Sequence, residues 1–66
     1  SRTLPEDKIA AMTAVLLKVR ERRGIDFDGL CDATGLPYRS VAEVVALLEN
    51  DGMISVDLLR RCSIRG

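Results

Sequence analysis

The sequence predicts a small α+β domain, with three helices followed by a C-terminal β-hairpin. Apolar residues recur at three- and four-residue spacing in the segments before Asn50, and the spacing changes to two from Met53 onward. A short Gly-Leu-Pro turn separates the second helical segment from the third. The 66 residues are enough for one domain, and a chain of this size buries only about 60% of its unfolded surface. We expect a tail or linker over residues 1–4 and the domain over residues 5–66.

The first predicted helix has an apolar stripe and recognisable ends. Pro5 suits a first helical turn, where its missing N–H is not needed. The stripe consists of Ile9, Met12, Val15, Leu16 and Val19. Cations stabilise the C-terminal end of a helix, and we expect three in the last turn: Arg20, Arg22 and Arg23. Gly24 is then the predicted C-terminal cap.

A second, shorter helix is predicted over residues 27–33. Asp26 is a good N-cap, and the residue before it, Ile25, is either a short strand or a core anchor. We expect three side chains to face inward: Phe27, Leu30 and Cys31. Gly29 weakens the helix by up to about 1 kcal/mol relative to alanine, so tertiary packing must hold it. The pair Thr34-Gly35 ends the helix.

The third helix is predicted to begin at Pro37, after Leu36 anchors the turn, and to end at Gly52. Its buried stripe consists of Val41, Val44, Val45 and Leu48, and Val45 and Leu48 are expected to face the first helix. Two helices joined by a tight turn that contains glycine are typical of a helix-turn-helix.

Residues 53–65 are predicted to form a β-hairpin. In the first predicted strand, apolar residues occur at every second position: Ile54, Val56 and Leu58. In the second predicted strand, Cys62 and Ile64 follow the same spacing. The predicted turn over residues 57–60 has no Gly, Pro or Asn, which leaves its type open.

Charge is unevenly distributed although the net charge is zero. Residues 1–24 carry six basic and three acidic side chains, and residues 53–66 carry three basic and one acidic. Residues 25–52 carry one basic side chain, Arg39, and six acidic ones. An acidic centre therefore lies between two basic flanks.

The composition argues against catalysis and against metal or cofactor binding. The sequence has no His, so no Ser or Cys has the usual general base, and no glycine-rich loop carries a P-loop Lys. Cys31 and Cys62 are too few for a zinc site or a disulfide scaffold, and we interpret them as small buried hydrophobic residues. No apolar run approaches the roughly 18 residues of a membrane span. We expect a cytoplasmic, non-enzymatic domain, and Ser1 in first position suggests a fragment of a larger protein.

Three helices, a tight turn between the second and third, and a hairpin together predict a winged helix-turn-helix. The stretches "TGLPYRSV" and "LLENDGMI" resemble bacterial winged helix-turn-helix modules, including the C-terminal domain of the DNA-processing protein A family. The resemblance covers about residues 8–65. It implies a DNA-binding module of a DNA-processing or regulatory protein, with single- or double-stranded DNA as its partner.

The predicted DNA-binding residues lie at the start of the third helix and on the hairpin: Tyr38, Arg39, Ser40, Arg60, Arg61 and Arg65. The N-terminal part of a recognition helix enters the major groove, where an Arg can contact guanine or phosphate. We expect Ala42, Glu43 and Ala46 to be exposed on the same helix. The alternative for Arg39 is an ion pair with Glu43 one turn later, which would stabilise the helix by a few tenths of a kcal/mol.

A protein-interaction module is the alternative function. Leu58 and Leu59 are adjacent at the predicted turn, and Leu47 lies off the core stripe of the third helix. Exposed apolar residues of this kind mark interfaces, and the acidic centre suits a basic protein partner better than phosphate. The partner would be a second copy or another domain of the parent protein. A simpler arrangement buries Leu58 under the hairpin and leaves only Leu59 partly exposed.

Overall fold

A computed structural model describes residues 6–65. The chain forms α1 (Glu6–Glu21), β1 (Ile25–Asp26), α2 (Phe27–Thr34), α3 (Tyr38–Asn50), β2 (Ile54–Val56) and β3 (Arg61–Ile64). The strands make one antiparallel sheet in the order β1-β3-β2. This α+β arrangement of three helices and a small sheet is that of a winged helix, as predicted. The predicted tail over residues 1–4 and the role of Pro5 lie outside the described residues.

One core joins the helices to the sheet. Its buried members come from every element: Val15, Val19, Ile25, Phe27, Leu30, Val41, Val44, Val45, Leu48, Ile54 and Cys62. The predicted stripe of α3 is buried in full. The predicted stripe of α1 is partly wrong, because Ile9 is 50% exposed at the rim of an open apolar groove between α1 and α3. Leu48 lines that groove beside Met12 and Leu16, so it faces α1 as expected.

The end of α1 differs from the prediction. The helix ends at Glu21, and Arg22, Arg23 and Gly24 form a turn instead of the last helical turn and its cap. Gly24 has a φ of 85°, a left-handed conformation that glycine adopts without steric cost. This turn redirects the chain into β1, so Ile25 is a strand residue and is also buried in the core.

The short helix α2 is capped as predicted and closely packed. The Asp26 carboxylate accepts a hydrogen bond of 2.7 Å from the backbone N–H of Gly29, and Gly35 ends the helix in a left-handed conformation. Phe27 and Leu30 are buried, and Cys31 is half-buried against the core. A Cβ at Gly29 would lie 2.8 Å from Cγ1 of Ile25. The glycine that weakens the isolated helix is therefore the residue that lets α2 approach β1.

The turn between α2 and α3 spans residues 35–37, and Leu36 packs against the core. Pro37 is the residue before the helix and not its first residue, since α3 begins at Tyr38. Asp51 caps the other end and is followed by Gly52 with a φ of 79°. The prediction that Ala42 is exposed is wrong, because it packs against the core, while Glu43 and Ala46 are exposed.

The predicted hairpin forms, but Leu58 in its turn does not lie where the alternating pattern predicted. Ile54 pairs with Ile64 and Val56 pairs with Cys62 across β2 and β3. Leu58 does not continue the inward alternation, because it lies in the turn and is 101% exposed. The arrangement with Leu58 buried under the hairpin is therefore wrong. Ile64, at the far end of β3, is also partly exposed.

Both cysteines are free thiols. Cys62 is fully buried, and burial, followed by the charges of Asp57, Glu49 and Asp26, raises the pKa of its thiol to about 11. The thiol is therefore protonated at neutral pH and acts as a small apolar core residue. Within the described part of the chain, no helix has the length and apolar character needed to cross a membrane.

Candidate nucleic-acid interface

The wing consists of β2, β3 and the turn between them, residues 57–60, which we call the wing tip. Asp57 builds this turn through its side chain, whose Oδ1 accepts hydrogen bonds of 2.9 Å from the N–H groups of Leu59 and Arg61. The Arg60 N–H donates to the Asp57 carbonyl at 3.0 Å, and Arg60 adopts a left-handed φ of 62°. A turn followed by a left-handed residue is a common hairpin connection, here formed without glycine. Asp57 thus holds the turn through its carboxylate and its backbone carbonyl.

Phe27 links the wing to α3. The Arg60 guanidinium carbon lies 5.8 Å from the centre of the Phe27 ring, which is cation–π distance. The Phe27 ring centre also lies 5.7 Å from that of Tyr38, with the planes tilted by 53°. The first residue of α3 and the wing tip therefore adjoin one buried ring. The structure brings together Tyr38 and Arg60, which the sequence separates by more than twenty positions.

Arg39 does not form the ion pair with Glu43 that was the alternative to its contact with DNA. The Glu43 carboxylate contacts the ammonium of Lys8 on α1 instead. Among the side chains of residues 8–65, none forms an ion pair with the exposed Arg39. Arg39 is exposed next to the half-exposed Tyr38 and the half-buried Ser40.

Pairing between β1 and β3 brings the two basic flanks of the sequence together. The Gly24 N–H donates to the Cys62 carbonyl at 2.9 Å, and Asp26 is the cross-strand partner of Arg61. Arg22 and Arg23 line an open polar cleft with Gly24 and Asp26, beside β3. We call Arg22, Arg23, Arg60 and Arg61 the wing-side arginines. All four are exposed, and within residues 8–65 they have no ion-pair partner.

Two acidic residues that adjoin Arg61 already accept hydrogen bonds from the backbone. Asp26 caps α2, and Asp57 caps the wing-tip turn. These hydrogen bonds partly offset the negative charge of each carboxylate. They therefore reduce the repulsion between the carboxylate and an anion, but they do not remove it. Four exposed cations lie on chain segments that adjoin in the fold, although the net charge of the whole chain is zero.

Arg65 is separated from the other predicted DNA-binding residues. Its N–H donates to the Met53 carbonyl at 3.1 Å, at the base of the wing and next to the C-terminal end of α3. Tyr38 is at the opposite end of this 13-residue helix, about 20 Å away. Leu47, predicted as an interface residue, is half-buried on α3. Leu58 and Leu59 are exposed at the wing tip.

Three residues of this surface were not among the predicted sites. Arg22 and Arg23 were assigned to the end of α1, and Phe27 to the core alone. The only local signal for the arginines is that they precede a glycine, which permits a change of chain direction. Their position beside β3 depends on strand pairing across almost forty residues. No three Cys, Asp or Glu side chains in the described residues gather into a possible metal site.

Neither a scan against protein-family models nor a search of curated proteins found a match to this chain.

Proposed function

We propose that this domain binds DNA through the start of α3 and the wing, as a module of a bacterial DNA-processing or regulatory protein in the cytoplasm. The observation that carries the proposal is the position of the wing-side arginines, since β1–β3 pairing brings the turn that carries Arg22 and Arg23 next to the strand that begins at Arg61. Clustered exposed cations without protein partners attract the phosphate backbone.

The proposed docking follows from the helix-turn-helix geometry. The N-terminal end of α3 enters the major groove, where Arg39 contacts a base edge or a phosphate and Ser40 donates to phosphate. The wing then lies along the adjacent backbone, with Arg60 and Arg61 facing phosphates. Only a few contacts form, and acidic residues flank α3, so we expect weak binding with a marked dependence on salt.

The double variant Arg60→Ala/Arg61→Ala tests the role of the wing. We expect its affinity to fall by a similar factor on DNA of different sequences, because phosphate contacts carry no base information. The slope of log affinity against log salt concentration should fall in magnitude by up to ~2, since two cations are removed. Fluorescence anisotropy with labelled single- and double-stranded DNA measures both quantities, and a thermal melt shows whether the variant is folded.

Arg65→Ala, compared with Arg61→Ala, is the matched control. Both variants remove one exposed arginine of the wing, but only Arg61 lies beside the wing tip. We expect the larger loss of affinity for Arg61→Ala. Equal losses would show that the interface is misplaced, and a wild-type domain that binds neither form of DNA at low salt would refute the proposal.

Protein docking is the second candidate function, and the exposure of Leu58 and Leu59 favours it. If the wing tip joins two copies, the wild-type domain should sediment as a species larger than its 7.2 kDa monomer. Leu59→Ser should then restore the monomer, whereas Arg60→Ala should mainly alter the salt dependence of association. Analytical ultracentrifugation over a range of concentrations decides this, and a wild-type monomer throughout would rule out self-association.

A further inference from the structure

The wing tip presents two leucines to solvent without support from the rest of the fold. Leu58 is 101% exposed and Leu59 is 66% exposed. No other large hydrophobic side chain among residues 8–65 is more than about half exposed. An apolar side chain in this position contributes little to folding, and it gains free energy only when another molecule removes it from water.

The backbone of the tip is nevertheless held by several contacts. Two hydrogen bonds to Asp57 hold the turn, and the Arg60 guanidinium lies over Phe27, which anchors the tip to α2. The left-handed φ of Arg60 is a conformation that a non-glycine residue adopts at some cost. The turn thus presents both leucines to solvent on a backbone held by these contacts, and such preorganisation lowers the cost of binding.

The shape and charge of the tip favour DNA over a protein surface. A stable protein interface buries about 800 Å² on each partner, whereas the tip is a narrow projection with two apolar side chains. Arg60 and Arg61 follow the leucines directly, and Arg61 begins the strand that adjoins the turn carrying Arg22 and Arg23. Apolar side chains that enter between base steps from the minor groove, with cations on the adjacent phosphates, are a known mode of DNA binding.

We propose that the wing tip acts as a wedge, in which Leu58 inserts between stacked bases of duplex DNA while Arg60 and Arg61 hold the flanking phosphates. This inference rests on the proposed DNA-binding function and adds to it the kind of DNA preferred. Unstacking is easiest at flexible pyrimidine–purine steps and at mismatches. The preferred ligand is therefore a duplex that contains such a step, and it is neither a uniformly stiff duplex nor a single strand.

The test uses two short duplexes that carry 2-aminopurine, an adenine analogue whose fluorescence rises on unstacking. One duplex has the probe at a central mismatch, and the other has it in a fully paired, stiff sequence. We expect the wild-type domain to bind the mismatched duplex several-fold more tightly and to raise its fluorescence. Leu58→Ser should retain binding to the paired duplex and lose both the preference and the fluorescence rise. Arg60→Ala/Arg61→Ala should weaken binding to both duplexes.

Leu17→Ser is the matched control, because Leu17 is an exposed leucine on α1. It should keep the wild-type preference and fluorescence response. Wild-type binding without a fluorescence rise, or a Leu58→Ser variant that behaves as wild type, would overturn the wedge while leaving the DNA-binding proposal in place. Absence of wild-type binding to both duplexes and to the single strand would overturn both proposals. Loss of self-association in Leu58→Ser, with DNA binding unchanged, would assign the tip to protein docking.

Discussion

Leu48→Ala is expected to destabilise the domain by about 2–5 kcal/mol, the usual range for removing a buried leucine side chain. Leu48 is 1% exposed and lies between α3 and α1, beside Met12 and Leu16. Truncation removes apolar contacts and leaves a cavity that two packed helices fill only in part. At roughly 0.05–0.15 kcal/mol per residue, a 66-residue domain has about 3–10 kcal/mol of stability. We therefore expect a large fall in the melting temperature, measured by circular dichroism.

Leu58→Ala provides the control with the same chemical change. Leu58 is fully exposed, so its truncation should change the free energy of unfolding by less than about 0.5 kcal/mol. Leu48→Met retains most of the volume and should cost less than about 1.5 kcal/mol, which keeps the comparison measurable if Leu48→Ala does not fold. An unchanged melt for Leu48→Ala would mean that α3 does not pack on α1 through this side chain.

Gly29→Ala is expected to destabilise the domain by about 1–3 kcal/mol, the range for overpacking a core. Helix propensity alone predicts that the substitution stabilises the domain, since alanine is about 1 kcal/mol more favourable than glycine inside a helix. The added Cβ would lie 2.8 Å from Cγ1 of Ile25 and 3.1 Å from Oδ1 of Asp26. Ile25 is buried in the core and the Asp26 carboxylate caps α2, so neither neighbour moves freely. Urea denaturation measures the change in unfolding free energy.

Asp32→Ala is an exposed substitution in the same helix. It should raise the stability of the domain slightly, because alanine has the higher helix propensity and this position makes no close contact with Ile25. A double-mutant cycle with Ile25→Ala isolates the close approach. In the Ile25→Ala background, Gly29→Ala should lose most of its penalty because the nearest atom is gone. If Gly29→Ala stabilises the wild-type domain, then α2 and β1 do not approach as closely as described.

Local sequence patterns were sufficient for the helices and their order. The stripe of α3 was predicted residue by residue, because a buried helix face repeats at three and four positions whatever it packs against. The Asp26 cap was predicted for a similar reason, since its hydrogen bond to Gly29 spans only three residues. The change of period after Met53 likewise predicted the hairpin. Each of these features depends on atoms that are close along the chain.

The candidate site was predicted less completely, because its geometry depends on contacts between distant segments. Tyr38, Arg39, Arg60 and Arg61 were identified from their places on α3 and the wing. The ion pair of Glu43 with Lys8, and not with Arg39, is an α1–α3 contact that helical spacing does not show. The role of Asp57 in the turn was also missed, although its hydrogen bonds are local, because the turn was judged by its lack of Gly, Pro and Asn.

The sequence was thus sufficient to predict the class of fold, most of the buried helix faces and the segments rich in basic residues. Propensity, capping and periodicity act over a few neighbouring positions, so they can be recognised without the tertiary structure. The packed fold established which basic residues share a surface, why position 29 is glycine, and that Leu58 faces solvent. These depend on β1–β3 pairing and on the contacts of Phe27 with Tyr38 and with Arg60. Such contacts form only when the whole core closes, so no short window of sequence contains them.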